Sequence, residues 1–151
     1  MAVFHSLLVP LDGSEQSDAA CTLALQVAAG SKADVTFVNV VESEKIVAST
    51  LPHHKIADPT IAIEQLRASG KELLRKAQEK AQSAGMKARS ELAEGDCVDT
   101  IVELAKSSGA DLIVMGSHGR GGLERLLLGS VAEGVLRKSP VPVMIVRAKA
   151  A

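Results

Sequence analysis

Apolar residues along this 151-residue chain follow two rhythms: short continuous runs rich in β-branched side chains, and longer stretches where they recur every three or four positions. The first run, Val3–Pro10 (VFHSLLVP), stops at Pro10 and Gly13 and reads as a strand. Ser14 is placed to cap a helix with Ala20, Leu23, Ala24, Val27 and Ala28 on one face, and Gly30 is expected to close it. Asp34–Val41 (DVTFVNVV) is almost continuously apolar, the pattern of a parallel strand covered on both faces. Glu42 to Asp58 keeps no period and contains Pro52, His53 and His54, so it reads as a mobile connection whose unusual length makes it either functional or partly ordered.

Asp58-Pro59 opens a long helix, cap then first-turn proline, whose Leu66, Leu73, Leu74, Ala77, Ala81 and Ala84 form an apolar face ending at Gly85. Gly70 weakens its middle by about 1 kcal/mol relative to Ala. Met86–Leu92 alternates and predicts a half-exposed strand. Gly95-Asp96 begins a helix carrying Val98, Ile101, Val102, Leu104 and Ala105, and Gly109 ends it. Asp111–Met115 (DLIVM) predicts a fourth strand, Gly129–Lys138 a last helix and Pro140–Val146 (PVPVMIV) a fifth strand. Strand and helix alternate throughout, which predicts a five-stranded, doubly wound parallel sheet with helices on both faces, a Rossmann-like α/β fold.

Length and composition narrow the class. The whole chain, 1–151, is expected to form one domain. No apolar run approaches the roughly 18 residues of a membrane span, so no membrane role is expected. The start, Met1-Ala2-Val3-Phe4-His5, has no basic n-region and runs straight into a strand pattern, so no signal peptide is expected. A formal charge of −1, with Phe4 and Phe37 the only aromatic residues, argues against nucleic acid as a partner. Cys21 and Cys97 stand apart, outside any C-x-x-C or Cys/His cluster, and read as small buried hydrophobes rather than redox groups. A cytoplasmic location is the expectation.

The chemistry concentrates between the fourth strand and the last helix. Gly116, Gly119 and Gly129 with Ser130 make the spacing G-x2-G-x9-G-S/T. Glycine allows close backbone approach and positive φ, and the amides of a following helix start attract anions. A Walker A loop is excluded, since no G-x4-G-K-S/T occurs, and a dinucleotide fingerprint needs its glycines after the first strand. Two readings remain: a flexible connector, or a phosphate site built from loop amides and the Gly129-Ser130-Val131 helix start. Arg120 is either a phosphate donor or a solvated charge. His118, without a partner at metal-ligand spacing, suits loop structure or phosphate donation. His53 and His54 read as surface residues, and Ser14 and Ser17 as capping and surface groups. Asp12, just past the first strand, is either a ligand for ribose hydroxyls or the adenine amino group, or a turn former with Gly13.

This glycine pattern resembles the nucleotide loop of the universal stress protein family. The likeness extends to Leu8-Val9-Pro10-Leu11-Asp12-Gly13-Ser14, Val38-Asn39-Val40-Val41 and the final Pro-Val-Pro-Val-Met-Ile-Val strand, four segments in the family's order. It implies an adenine nucleotide alpha hydrolase-like fold and an ATP-binding subgroup. In those members the counterpart of Asp12 holds the nucleoside end, that of Val40 meets adenine through its backbone, and those of Gly116, Gly119, Gly129 and Ser130 wrap the phosphates. Pro10, Leu11, His118, Arg120 and Val131 complete the ATP-binding set that the resemblance implies. Mg²⁺ would reach Ser130 through Mg-ATP. The resemblance also implies a homodimer through Val141–Val146, whose two faces are both apolar, and a stress-response switch read by an unknown protein partner. The alternatives are a dimeric interaction module that binds no nucleotide and a slow ATPase. No base or metal cluster is evident, no second carboxylate is evident near the loop, and Asp111 lies at the wrong end of its strand, so binding with slow or no turnover is the expectation.

Overall fold

The computed structural model describes residues 3–49, 58–119 and 128–148. Five strands, β1 (Ser6–Pro10), β2 (Asp34–Val41), β3 (Ala88–Glu94), β4 (Leu112–Gly116) and β5 (Val143–Val146), form one parallel sheet in the order β3-β2-β1-β4-β5. Five helices accompany them: α1 (Glu15–Ser31), α2 (Ser43–Ser49), α3 (Pro59–Ser83), α4 (Cys97–Ser107) and α5 (Ser130–Lys138). The result is a single α/β domain of the expected class.

Strand alternation divides the core into two layers. Leu7, Val9, Val35 and Phe37 face one side, where α1 and α3 cover them with Ala20, Ala24, Leu74 and Ala81. Leu8, Val38, Ile113 and Met115 face the other, under Ile101 and Ala105 of α4 and Ala132 and Val135 of α5. The central strands are therefore apolar on both faces, as buried parallel strands must be. The chain moves outward from β1 to β2 and β3, then returns across β1 to β4 and β5. Strand order reverses between β1 and β4, and the crevice above their carboxyl ends is where this architecture places ligands.

The expected elements are all present, with several corrections. β1 starts at Ser6 rather than Val3, which is 78% exposed. α1 runs through Gly30 to Ser31, and Lys32 takes the left-handed cap (φ 56°), its N–H donating to the Ala28 carbonyl. Part of the supposed mobile connection is helix α2, whose seven residues are too few to show a period. His53 and His54 lie outside the described residues. On α3, Leu66 and Ala84 are exposed instead of joining the apolar face, while Gly70 is buried. β3 is displaced two residues toward the C-terminus, after a turn at Gly85 (φ 76°). β5 begins only at Val143, because the Ser139 hydroxyl bonds both the N–H (3.1 Å) and the carbonyl (2.7 Å) of Val141 and holds a turn there.

Candidate functional site

A cavity of ≈ 370 Å³ opens over the carboxyl ends of β1, β2 and β4. Of the residues singled out from sequence, Pro10, Leu11, Asp12, Val40, Gly116, His118, Gly119, Gly129, Ser130 and Val131 all line it. Arg120 lies outside the described residues, as do Gly121 and Gly122.

Each wall has a local cause. Beyond β1, the Leu11 N–H still donates to the Val38 carbonyl at 2.8 Å, and Asn39 Nδ2 donates to the Leu11 carbonyl at 2.8 Å. These bonds hold the segment leading to Asp12 against β2. Backbone groups of alternate strand residues point to the same edge, so Val40 presents its N–H and carbonyl on the Val38 side, past the end of β1 and toward the cavity. Asp12 Oδ1 accepts the Ser14 N–H at 2.9 Å, and the Ser14 hydroxyl caps α1 by accepting the Ser17 N–H at 3.1 Å. Asp12 therefore shapes the turn and lines the cavity at once. Ser14 and Ser17 are buried rather than surface groups, and the Ser17 hydroxyl accepts the Asp12 N–H at 3.4 Å.

The glycine segment is fixed from three sides. The Ser117 N–H donates to the Val146 carbonyl at 2.8 Å, the Gly129 N–H to the Ser117 carbonyl at 2.6 Å, and the Ser14 hydroxyl to the His118 carbonyl at 3.4 Å. Buried Ser117 shares a 3.0 Å hydrogen bond between its Oγ and His118 Nδ1. None of Gly116, Gly119 and Gly129 has positive φ, so the glycines are required for space. A Cβ on Gly116 would stand 2.7 Å from Gln16 Cβ and 2.8 Å from the Gln16 carbonyl carbon. One on Gly129 would meet the Ser117 oxygen at 3.1 Å, and one on Gly119 would collide with Asp12 Oδ2. Asp12, the carboxylate expected at the site, thus stands directly beside the loop.

α5 starts differently from α1, α3 and α4, whose first turns are capped by the side chains of Ser14, Asp58 and Asp96. Gly129 has no side chain to offer, so the amides at the start of α5 face the cavity beside Ser130, Val131 and Ala132. Uncapped helix amides with the positive end of the helix dipole suit an anion. Among the described lining residues there is no Lys or Arg, so backbone N–H groups supply the positive potential.

Sequence reading missed the opposite wall. Val38, Asn39 and Glu42 from the β2 end, Cys97 and Ile101 from α4, and Met115 from β4 also line the cavity. Asn39 is the polar residue inside an otherwise apolar strand ending, a signal available from sequence. Glu42 Oε2 accepts the Cys97 N–H at 3.4 Å and lies 2.6 Å from Lys45 Nζ, so it joins α2 to α4. Burial, then the Glu42 and Asp96 carboxylates, push the Cys97 thiol up to about 12, which keeps it neutral at physiological pH. Among the described residues no three His, Cys, Asp or Glu side chains gather as a metal site.

The profile of the universal stress protein family matches residues 4–147. The chain belongs to that family. A universal stress protein of Methanocaldococcus jannaschii is 37% identical over 145 residues, covering 96% of this chain and 83% of the relative. UspA from Lactobacillus plantarum superposes with a TM-score of 0.82 at 27% identity, covering 97% of this chain and 100% of UspA. A universal stress protein solved in complex with cAMP has a TM-score of 0.66 and 31% identity, with 97% and 98% of the two chains covered. No described helix is long and apolar enough to cross a membrane.

Proposed function

We propose that this protein binds ATP in the cavity above β1 and β4 and acts as a nucleotide-dependent switch in a stress response. The observation that carries the reading is convergence: a carboxylate at Asp12, the outward backbone edge of Val40, the glycine segment and the uncapped start of α5 surround one space. Its ≈ 370 Å³ falls within the size range of small-molecule sites. The cAMP complex of a 31% identical relative supports an adenine nucleotide as the class of ligand.

In this reading adenine lies on the Val40 backbone between apolar side chains of β2, β4 and α4. Asp12 accepts hydrogen bonds from the ribose hydroxyls. The phosphates run over Gly116 and Gly119 to the amides of Gly129, Ser130 and Val131, with His118 and Arg120 as further donors. The Ser130 hydroxyl would help to hold Mg²⁺ brought in with ATP, and the ion's charge would offset that of Asp12 beside the loop. Turnover is slow or absent: phosphoryl transfer requires an in-line water and neutralised charge, and no described lining residue is Lys or Arg. The protein works in the cytoplasm as one nucleotide-binding domain, and a protein partner reads its nucleotide state.

Assembly is proposed through β5. Among the described residues neither edge strand pairs with a further strand, but β3 carries exposed Arg89 and Glu91, charges of the kind that blunt edge pairing. β5 is Val-Met-Ile-Val and carries none, so a second copy pairs there to form a homodimer.

Calorimetric titration of Mg-ATP into protein stripped of co-purified nucleotide tests the reading. Saturable binding at micromolar or lower ATP is expected. Absence of heat, together with no melting-temperature shift at millimolar ATP, overturns it in favour of a dimeric interaction module.

A further inference from the structure

Four residues of the nucleotide cavity, Asp12, Asn39, Val40 and Glu42, also wall a second cavity of ≈ 450 Å³ between the β2 end and helices α2 and α3. Its chemistry differs from that of the first. The far side is aliphatic, formed by Val41, Ile46, Leu66 and Leu73, with Ser69 beside them. Lys45, the cation among its described lining residues, is 2.6 Å from Glu42 and held in that ion pair. One N–H of the Asn39 amide is engaged by the Leu11 carbonyl at 2.8 Å. An anion entering this space would meet two carboxylates, Asp12 and Glu42, with a lysine already engaged by one of them.

We infer that this second cavity is a subsite for an uncharged apolar group, of the acyl class, carried on a ribose hydroxyl of the bound adenine nucleotide. The inference rests on the nucleotide reading above, in which Asp12 receives the ribose hydroxyls. Asp12 is common to both cavities, so a substituent on such a hydroxyl oxygen projects past the carboxylate toward Ile46, Leu66 and Leu73. An acyl ester there keeps the nucleotide in the first cavity and buries its apolar part in the second. A phosphate on the same oxygen gains no cation and faces both carboxylates. The two cavities together thus select against nucleotides that carry a free phosphomonoester on the 2′ or 3′ oxygen, which would project into the second cavity, and for acylated ones.

Titration of the full chain with ATP and with 2′(3′)-O-(N-methylanthraniloyl)-ATP, by calorimetry and by fluorophore emission, separates the possibilities. The acylated nucleotide is expected to bind at least about fivefold tighter than ATP, the factor that a few tens of Å² of buried apolar surface provides. Its emission should rise and shift to the blue on binding. Ser69→Trp fills the cavity mouth, and Ile46→Glu adds a third carboxylate to the wall. Each should abolish the advantage of the acylated nucleotide while ATP affinity stays as in wild type. Adenosine 3′,5′-bisphosphate should bind more weakly than AMP. If ATP binds but the acylated form binds no tighter, or both variants retain its advantage, the subsite is wrong and the nucleotide reading stands. If ATP itself fails to bind, the nucleotide reading falls and the subsite falls with it.

Discussion

Gly119 is the residue at which added bulk bears directly on the carboxylate of the candidate site. Any Cβ there runs into the Asp12 carboxylate, the group assigned to the ribose. Gly119→Val should therefore displace Asp12 and lower ATP affinity by at least about tenfold, a loss near 1.4 kcal/mol, with the circular dichroism spectrum unchanged. An unaltered affinity would show that the loop assignment is wrong. The positions of these glycines were legible from their spacing, whereas their physical reason was not. Positive φ occurs instead at Gly13, Gly85, Gly95 and Gly109, in turns next to helices and strands. Crowding against Asp12, Gln16 and Ser117 is a tertiary fact that no local pattern carries. The same holds for Glu42 and Cys97, far apart in sequence and joined in the cavity wall by a 3.4 Å hydrogen bond.

At the scale of elements, α3 shows propensity yielding to packing. Gly70 is a poor helix residue, yet a Cβ there would lie 2.5 Å from Asn39 Oδ1 and 2.7 Å from Leu92 Cδ1. Asn39 is held by its bond to the Leu11 carbonyl, which moving aside would strain. Overpacking costs about 1–3 kcal/mol, more than the gain of about 1 kcal/mol in helix propensity, so Gly70→Ala should lower the melting temperature. A rise in melting temperature would contradict this packing. Strand ends behave similarly. β2 follows its apolar run from Asp34 to Val41, but β1, β3 and β5 start later than their patterns because turns and side-chain bonds claim the first residues. Caps at Ser14, Asp58 and Asp96 were readable because each bond is local.

Asp111 ties two strands together at the end of the sheet opposite the cavity, accepting the N–H groups of His5 at 2.8 Å and Ser6 at 3.0 Å. Burial pushes its carboxyl up, but the Ser6 and His5 backbone donors and the His5 side chain hold it below its ordinary 3.8. A folded-state value below the unfolded one stabilises the protein fully above about pH 4, and that stabilisation is lost as pH falls through the lower value. Urea midpoints measured down through this acid range should fall less steeply in Asp111→Asn than in the parent protein. Identical slopes would remove Asp111 from the acid response.

The whole molecule is a sheet with one charged edge and one apolar edge, and a ligand crevice where its strand order reverses. Static light scattering should give twice the monomer mass at micromolar protein, as pairing through β5 requires. A monomer at that concentration would contradict the proposed assembly. The layering and the parallel, doubly wound architecture were legible from sequence, since alternating strand and helix patterns leave few connections open, whereas the strand order β3-β2-β1-β4-β5 was not read from it. In the Glu42 to Asp58 segment only partial order was legible: helix α2, held through Lys45 and Glu42 at the cavity rim, is too short to show a period.

Amide chemical shifts of the ¹⁵N-labelled protein during titration with Mg-ATP test the central claim most directly. The account predicts saturable shifts at Val40, Gly116 to Gly119 and Gly129 to Ala132, with β3 and the surface of α3 unmoved. Shifts confined to other surfaces, or none at millimolar ATP, would contradict a nucleotide site above β1 and β4.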